Sequence, residues 1–136
     1  MADRLAEVLK QQAPPALAVA WLFGSHADAR AHRESDVDLG VVFRHAALPS
    51  SRARFEAALQ LSTALSESAG GPRIDLVVLN DAPPGLAARV ATEGRLLYVA
   101  DTAVEHAFRR DSQLQAADLL PFLRRTRQIK LEALRR

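Results

Sequence analysis

The 136-residue chain is predicted to fold as an α/β (or α+β) domain, a sheet covered by helices, and three observations carry that prediction. Apolar runs of strand length recur at Leu17–Phe23, Val37–Phe43 and Ile74–Leu79. Segments of helical periodicity separate or flank them. Turn-forming residues then mark the boundaries, at Pro14-Pro15, Gly24-Ser25, Pro49-Ser50-Ser51, Gly70-Gly71-Pro72, Pro83-Pro84-Gly85 and Gly94.

Taken in order, residues 3–12 read as a short amphipathic helix with Leu5, Val8 and Leu9 on its apolar side. Leu17–Phe23 is compact and apolar throughout, as a buried strand requires. Gly24-Ser25 breaks it, and a short polar turn or helix follows. Val37–Phe43 is the second strand, where Gly40 allows a neighbouring group to approach closely. Ser50 or Ser51 can cap a helix running to about Ser68, with Phe55, Ala58, Leu59, Ser62 and Leu65 marking its apolar face. Gly70-Gly71 ends it. Ile74–Leu79 is the third strand, Gly85–Glu93 is helical, and Leu96–Val99 forms a short fourth strand. Beyond Asp101, a suitable N-cap, helix is expected to the C-terminus with an interruption near Pro121. The division expected is a core over residues 1–100 and a helical extension over 101–136 packed on it, one domain overall.

Composition narrows the function classes. The chain is 49% apolar and 25% charged, as ordinary globular proteins are. It has no cysteine, which excludes disulfides, thiolate zinc sites and cysteine nucleophiles. No apolar run approaches the length of a membrane span, and the N-terminus lacks the pattern of a signal peptide. A cytoplasmic location is therefore expected. The net charge of +2 hides an asymmetry: residues 1–100 carry a net of −1 and residues 101–136 a net of +3. A basic C-terminal segment suits an acidic or phosphate-bearing partner, or is simply a solvated helix face.

The chemistry is concentrated in Leu22–Phe43. A strand ends at Gly24-Ser25, ten residues follow, and Asp36-Val37-Asp38 opens the next strand. Alternate strand residues share a face, so Asp36 and Asp38 project together while Val37 and Leu39 point into the core. Two carboxylates this close repel unless a cation lies between them, and a hard divalent ion such as Mg²⁺ answers that need. The alternative is a pair of exposed edge-strand aspartates. Asp75, an acid inside the third apolar strand, completes a triad if the second and third strands are neighbours. It would then serve as a metal ligand, as a general base towards an attacking hydroxyl, or both. Its alternative role is an ion pair with Arg73. At the first strand's end, Gly24 permits close approach of a ligand, and Ser25 offers a hydroxyl and an amide to phosphate.

Gly24-Ser25, ten residues and Asp36-x-Asp38 together resemble the signature of the DNA polymerase β nucleotidyltransferase superfamily, and the small size resembles its minimal nucleotidyltransferase (MNT) branch. Asp75 lies where that family carries its third carboxylate, and Asn80-Asp-Ala-Pro-Pro with Glu93-Gly-Arg-Leu-Leu-Tyr98 is similar too. The likeness covers about residues 5–100 well and the C-terminal segment loosely. It implies a polymerase-β-like sheet and two-metal nucleotidyl transfer from ATP. Asp36 and Asp38, with Asp75, would hold Mg²⁺, Gly24 and Ser25 would hold the phosphates, and Asp75 would activate the acceptor hydroxyl. It also implies the antitoxin half of a HEPN/MNT pair, which transfers AMP to a tyrosine of a helical HEPN ribonuclease toxin. Where the family often has a basic residue after Gly-Ser, then a second basic residue and a glycine, this chain has His26, Asp28 and Ala29.

The remaining residues add less. His26 and His32 are read as loop residues, His45 and His106 as surface, and Trp21 as core. No P-loop, no Gly-x-Ser-x-Gly elbow and no aromatic pattern for single-stranded nucleic acid is present, so no nucleic-acid partner is expected. In the C-terminal segment Leu119, Leu120, Phe122, Leu123, Ile129, Leu131 and Leu134 spread round more than one face. One face can dock on the domain itself, and the remainder suits a protein partner or self-association. Two rival functions stay open: a catalytically weak antitoxin that masks its toxin by binding, and a nucleotidyltransferase acting on a small hydroxylated molecule.

Overall fold

The computed structural model describes residues 2–24, 37–71 and 73–135. Helix α1 (Ala2–Gln12) leads into β1 (Leu17–Phe23), followed by β2 (Val37–Phe43), α2 (Ser51–Ser68) and β3 (Ile74–Val78). A 3-10 turn at Leu79–Asp81, α3 (Pro84–Glu93), β4 (Arg95–Val99) and α4 (Thr102–Arg135) complete the order. The four strands form one mixed sheet in the order β3-β2-β1-β4. β1 runs antiparallel to β2 and β4, whereas β2 and β3 are parallel, as the α2 crossover between them requires.

Helices cover both faces, which explains why β1 and β2 are apolar at nearly every position. On one face Leu5 and Leu9 of α1 and Ala58, Leu61 and Leu65 of α2 pack on Leu22, Leu39 and Val41. On the other, Val90 and Ala91 of α3 and Val104 and Phe108 of α4 pack on Val19, Trp21 and Val42. Trp21 is fully buried, as expected, and its ring lies 5.8 Å from that of Phe108. Gly40 makes the α3 packing possible: a Cβ there would stand 2.9 Å from Leu79 and 3.0 Å from Val90.

Local signals explain the element ends. Ser50 caps α2 by accepting from the Ala53 N–H at 3.1 Å, and Gly70 and Gly71 leave that helix with φ of 93° and 96°. Asp101 accepts from the Val104 N–H at the start of α4. The β2–β3 ladder ends in a side chain instead of a backbone. Asn80 Oδ1 accepts from the Phe43 N–H, and Asn80 Nδ2 donates to the Phe43 carbonyl, both at 2.9 Å.

Three expectations are corrected. The third strand stops at Val78, and Leu79 opens the 3-10 turn. Phe55 and Leu59 of α2 do not face the core; they are 60% and 55% exposed. The helix is instead turned to bury Arg54, Ala58, Leu61 and Leu65. Arg54 tolerates burial because each of its three guanidinium nitrogens donates a hydrogen bond. It donates to both carboxylate oxygens of Asp81, at 3.0 and 2.7 Å, and to the Leu48 carbonyl at 2.8 Å. That bidentate hydrogen bonding holds the Asp81 carboxyl below its ordinary range and raises Arg54 further. Finally, the helix expected to break near Pro121 is continuous over 34 residues. Proline removes one backbone donor, and the surrounding Leu, Ala, Gln and Arg residues are strong helix formers that carry the helix across it. No helix among the described residues is long and apolar enough to cross a membrane.

Candidate active site

The sheet topology brings three of the predicted residues to one place. Gly24 directly follows the last residue of β1, and Asp38 and Asp75 are the second residues of β2 and β3. Asp38 pairs with Phe23 across the antiparallel β1–β2 ladder and with Asp75 across the parallel β2–β3 ladder. In-register residues on neighbouring strands lie on the same side of a sheet, about 4.8 Å apart at the backbone. Asp38 is two residues from Gly40, which abuts α3, and Asp75 two residues from Val77, which packs on the same cluster. Both carboxylates therefore project on the α3 side. Val37 and Leu39 point to the opposite side and are fully buried there, as expected.

Gly24 adopts φ +74°, and a Cβ on it would stand 2.6 Å from Asp38 Oδ2. The backbone of β1 thus lies directly against one carboxylate, which only glycine allows. Asp38 is half-buried. Asp75 is more open and pairs with Arg73, whose Nε lies 3.4 Å from Asp75 Oδ1. That pair is the alternative raised from sequence, and it coexists with the clustering. Both partners are exposed, so the bridge contributes little and yields readily to a competing cation. Two hard oxygen donors side by side fit a divalent ion such as Mg²⁺. Ser25 and Asp36, expected to contribute phosphate contacts and a further ligand, lie outside the described residues. So do His26 and His32.

Beside this cluster is a feature that reading by motif missed. A cleft of about 530 Å³ opens between Phe23 and Gly24 of the β1 end and α3. A signal for it was present in the sequence: Leu86, Arg89, Val90 and Glu93 recur at the spacing that lines one side of a helix.

The family model described as polymerase beta, nucleotidyltransferase matches residues 3–103. The chain belongs to the polymerase β nucleotidyltransferase family. Among curated members, the protein adenylyltransferase MntA of Shewanella oneidensis is 36% identical over 84 residues, 62% of this chain and 55% of MntA. The chain thus spans about half the length of that relative over the matched region. A chain in the crystal structure of a toxin–antitoxin with AMP-PNP is similar over nearly its whole length. It has a TM-score of 0.63 at 26% identity, covering 99% of this chain and 98% of that one. The fold is shared as well with a complex of tri-AMPylated Shewanella oneidensis HEPN toxin and MNT antitoxin, at a TM-score of 0.59 and 24% identity over all of both chains. The nucleotidyltransferase fold and the MNT likeness expected from Gly24-Ser25, Asp36-x-Asp38 and Asp75 are both borne out by these matches.

Proposed function

We propose that this chain is an antitoxin nucleotidyltransferase that transfers AMP from ATP to a hydroxyl, a tyrosine by family likeness, of a cognate HEPN ribonuclease toxin and so neutralises it. The observation that carries the reading is the in-register placement of Asp38 and Asp75 on parallel strands, with the Gly24 backbone against Asp38. Similarity to a protein adenylyltransferase and to a toxin–antitoxin crystallised with AMP-PNP supports the substrate class.

The roles divide by position. Gly24 and Ser25 hold the triphosphate through backbone and hydroxyl donors. Asp38 and Asp75, with Asp36, provide the oxygen ligands for Mg²⁺. Mg²⁺ in that position supplies charge neutralisation to the triphosphate and its leaving group. Asp75, at the open side of the cluster, takes the proton from the acceptor hydroxyl. The hydroxyl oxygen bonds to the α-phosphorus as the bond to the bridging oxygen breaks, and pyrophosphate leaves with that electron pair. The protein's contribution is positioning and charge, as phosphoryl-transfer chemistry demands.

Intact-mass spectrometry tests this. The HEPN-type partner, co-expressed and incubated with ATP and Mg²⁺, gains one or more AMP masses with the wild-type chain and none with Asp36→Asn/Asp38→Asn. A silenced partner with no added mass overturns the transfer reading. It favours instead neutralisation by binding alone, the reading to which His26, Asp28 and Ala29 after Gly24-Ser25 lend weight.

A further inference from the structure

β3 is an edge strand, with no further strand beyond it among the described residues. A groove of about 200 Å³ runs between it and α2, lined by Phe55, Leu59 and Ser62 of the helix and by Ile74, Asp75 and Leu76 of the strand. Ile74 and Leu76 pack towards α2, and Asp75 between them projects to the opposite side of the sheet. At an edge strand both sides are reached from the same direction. The groove therefore borders the residue that the transfer reading makes the general base.

Its chemistry is that of a protein-contact surface. Phe55 is the most exposed large hydrophobic among the described residues, and Leu59 follows one turn later on the same side of α2. Two neighbouring apolar side chains left in water gain free energy when a partner covers them. The groove is also preformed: the Ser62 hydroxyl donates to the Ile74 carbonyl at 2.6 Å, which pins α2 to β3 and satisfies a backbone acceptor of the strand. Exposed Arg73 and Asp75 border the apolar strip with charge, the layout of a protein interface. A volume of about 200 Å³ lies below the roughly 300 Å³ at which small-molecule sites begin, and suits one or two inserted side chains. Position decides the occupant. A macromolecule whose hydroxyl reaches Asp75 covers the surface beside it, whereas a small acceptor would leave Phe55 and Leu59 in water.

We propose that the Phe55–Leu59 groove docks the acceptor protein, taking a large apolar side chain that lies close to the acceptor hydroxyl on that protein's surface. The inference rests on the nucleotidyl-transfer reading and adds to it the residues that favour a protein acceptor over a small one. Phe55 and Leu59 thereby set how tightly the acceptor is held and take no part in the chemistry.

Initial rates of AMP addition to the separately purified HEPN-type partner test it, measured by intact mass over a range of partner concentrations in ATP and Mg²⁺. Phe55→Gln and Leu59→Gln each place an uncharged, helix-forming residue at an exposed position, so the fold, checked by thermal melting, is kept and no charge is added beside Asp75. Each raises the partner concentration at half-maximal rate by about tenfold and leaves the rate at saturation at the wild-type value. An unchanged half-maximal concentration in both folded variants overturns the docking surface and leaves the transfer reading standing. So does a fall in the saturating rate alone, since it would place these residues in the chemistry. A wild type that adds no AMP to the partner overturns the transfer reading itself, and the docking surface with it.

Discussion

Gly24 and Asp38 are in such close contact that a side chain on the first excludes the observed position of the second. The hypothetical Cβ stands 2.6 Å from Asp38 Oδ2, well inside van der Waals contact, and φ at Gly24 is +74°. Glycine here therefore does two jobs. It turns the chain out of β1, and it leaves the Asp38 carboxylate room beside a bare backbone. The motif spacing in the sequence is thus the imprint of a physical contact between two strands.

Gly24→Ala puts this to the test. The left-handed backbone costs an alanine about 1–2 kcal/mol, and its methyl group must displace the carboxylate. The expected result is a modest fall in melting temperature with a much larger loss of AMP transfer. Transfer at the wild-type rate by the folded variant would separate Gly24 from the site.

Asp38→Asn removes one negative oxygen at nearly constant volume. AMP transfer should fall by about a hundredfold or more, while thermal unfolding stays close to wild type. Mass spectrometry of the acceptor and a melting curve on the same preparation check both halves. Retained transfer would reject the proposed ligand role.

Acid should loosen the Arg54–Asp81 clamp. Arg54 holds the Asp81 carboxyl below its ordinary value, so the clamp's contribution is complete above the unfolded carboxylate's pKa of about 4. It is then lost as pH falls through the depressed folded value. Against an Arg54→Met/Asp81→Ala variant, the wild type's stability should therefore decline more steeply below about pH 4. Parallel acid profiles by circular dichroism would count against the clamp.

Asn80→Ala deprives the buried Phe43 backbone of both its donor and its acceptor partner. Leaving those groups unsatisfied should cost about 2 kcal/mol, read as a lower midpoint in urea. A midpoint unchanged from wild type would mean that water replaces the amide.

Much of this was legible in the chain itself. β1 and β2 are found at Leu17–Phe23 and Val37–Phe43, the first an unbroken apolar run and the second apolar except at Asp38 and Gly40. The pairing of Asp38 with Asp75 was legible only conditionally, because nothing local states that β2 and β3 are neighbours. Phe55 and Leu59 misled for a related reason. The buried face of α2 carries Arg54 together with Ala58, Leu61 and Leu65, and the burial of Arg54 depends on Asp81 far along the chain, a distant partner that periodicity cannot register. Pro121 suggests a break because proline weakens a helix, although one lost hydrogen bond is small beside a 34-residue ladder. The α3 cleft is not legible as a motif in the sequence, since an apolar–charged stripe on a short helix looks like ordinary solvent-facing surface.

The parallel pairing of β2 and β3 has a consequence for the order of folding. Gly24 and Asp38 meet through an antiparallel pair of consecutive strands, a comparatively local event. Asp75 can join them only after the whole of α2 has crossed the sheet and docked, which is a slower, non-local closure. The approach of the two carboxylates is therefore deferred until β3 docks beside β2. Whatever metal affinity depends on Asp75 should emerge only once β3 has docked.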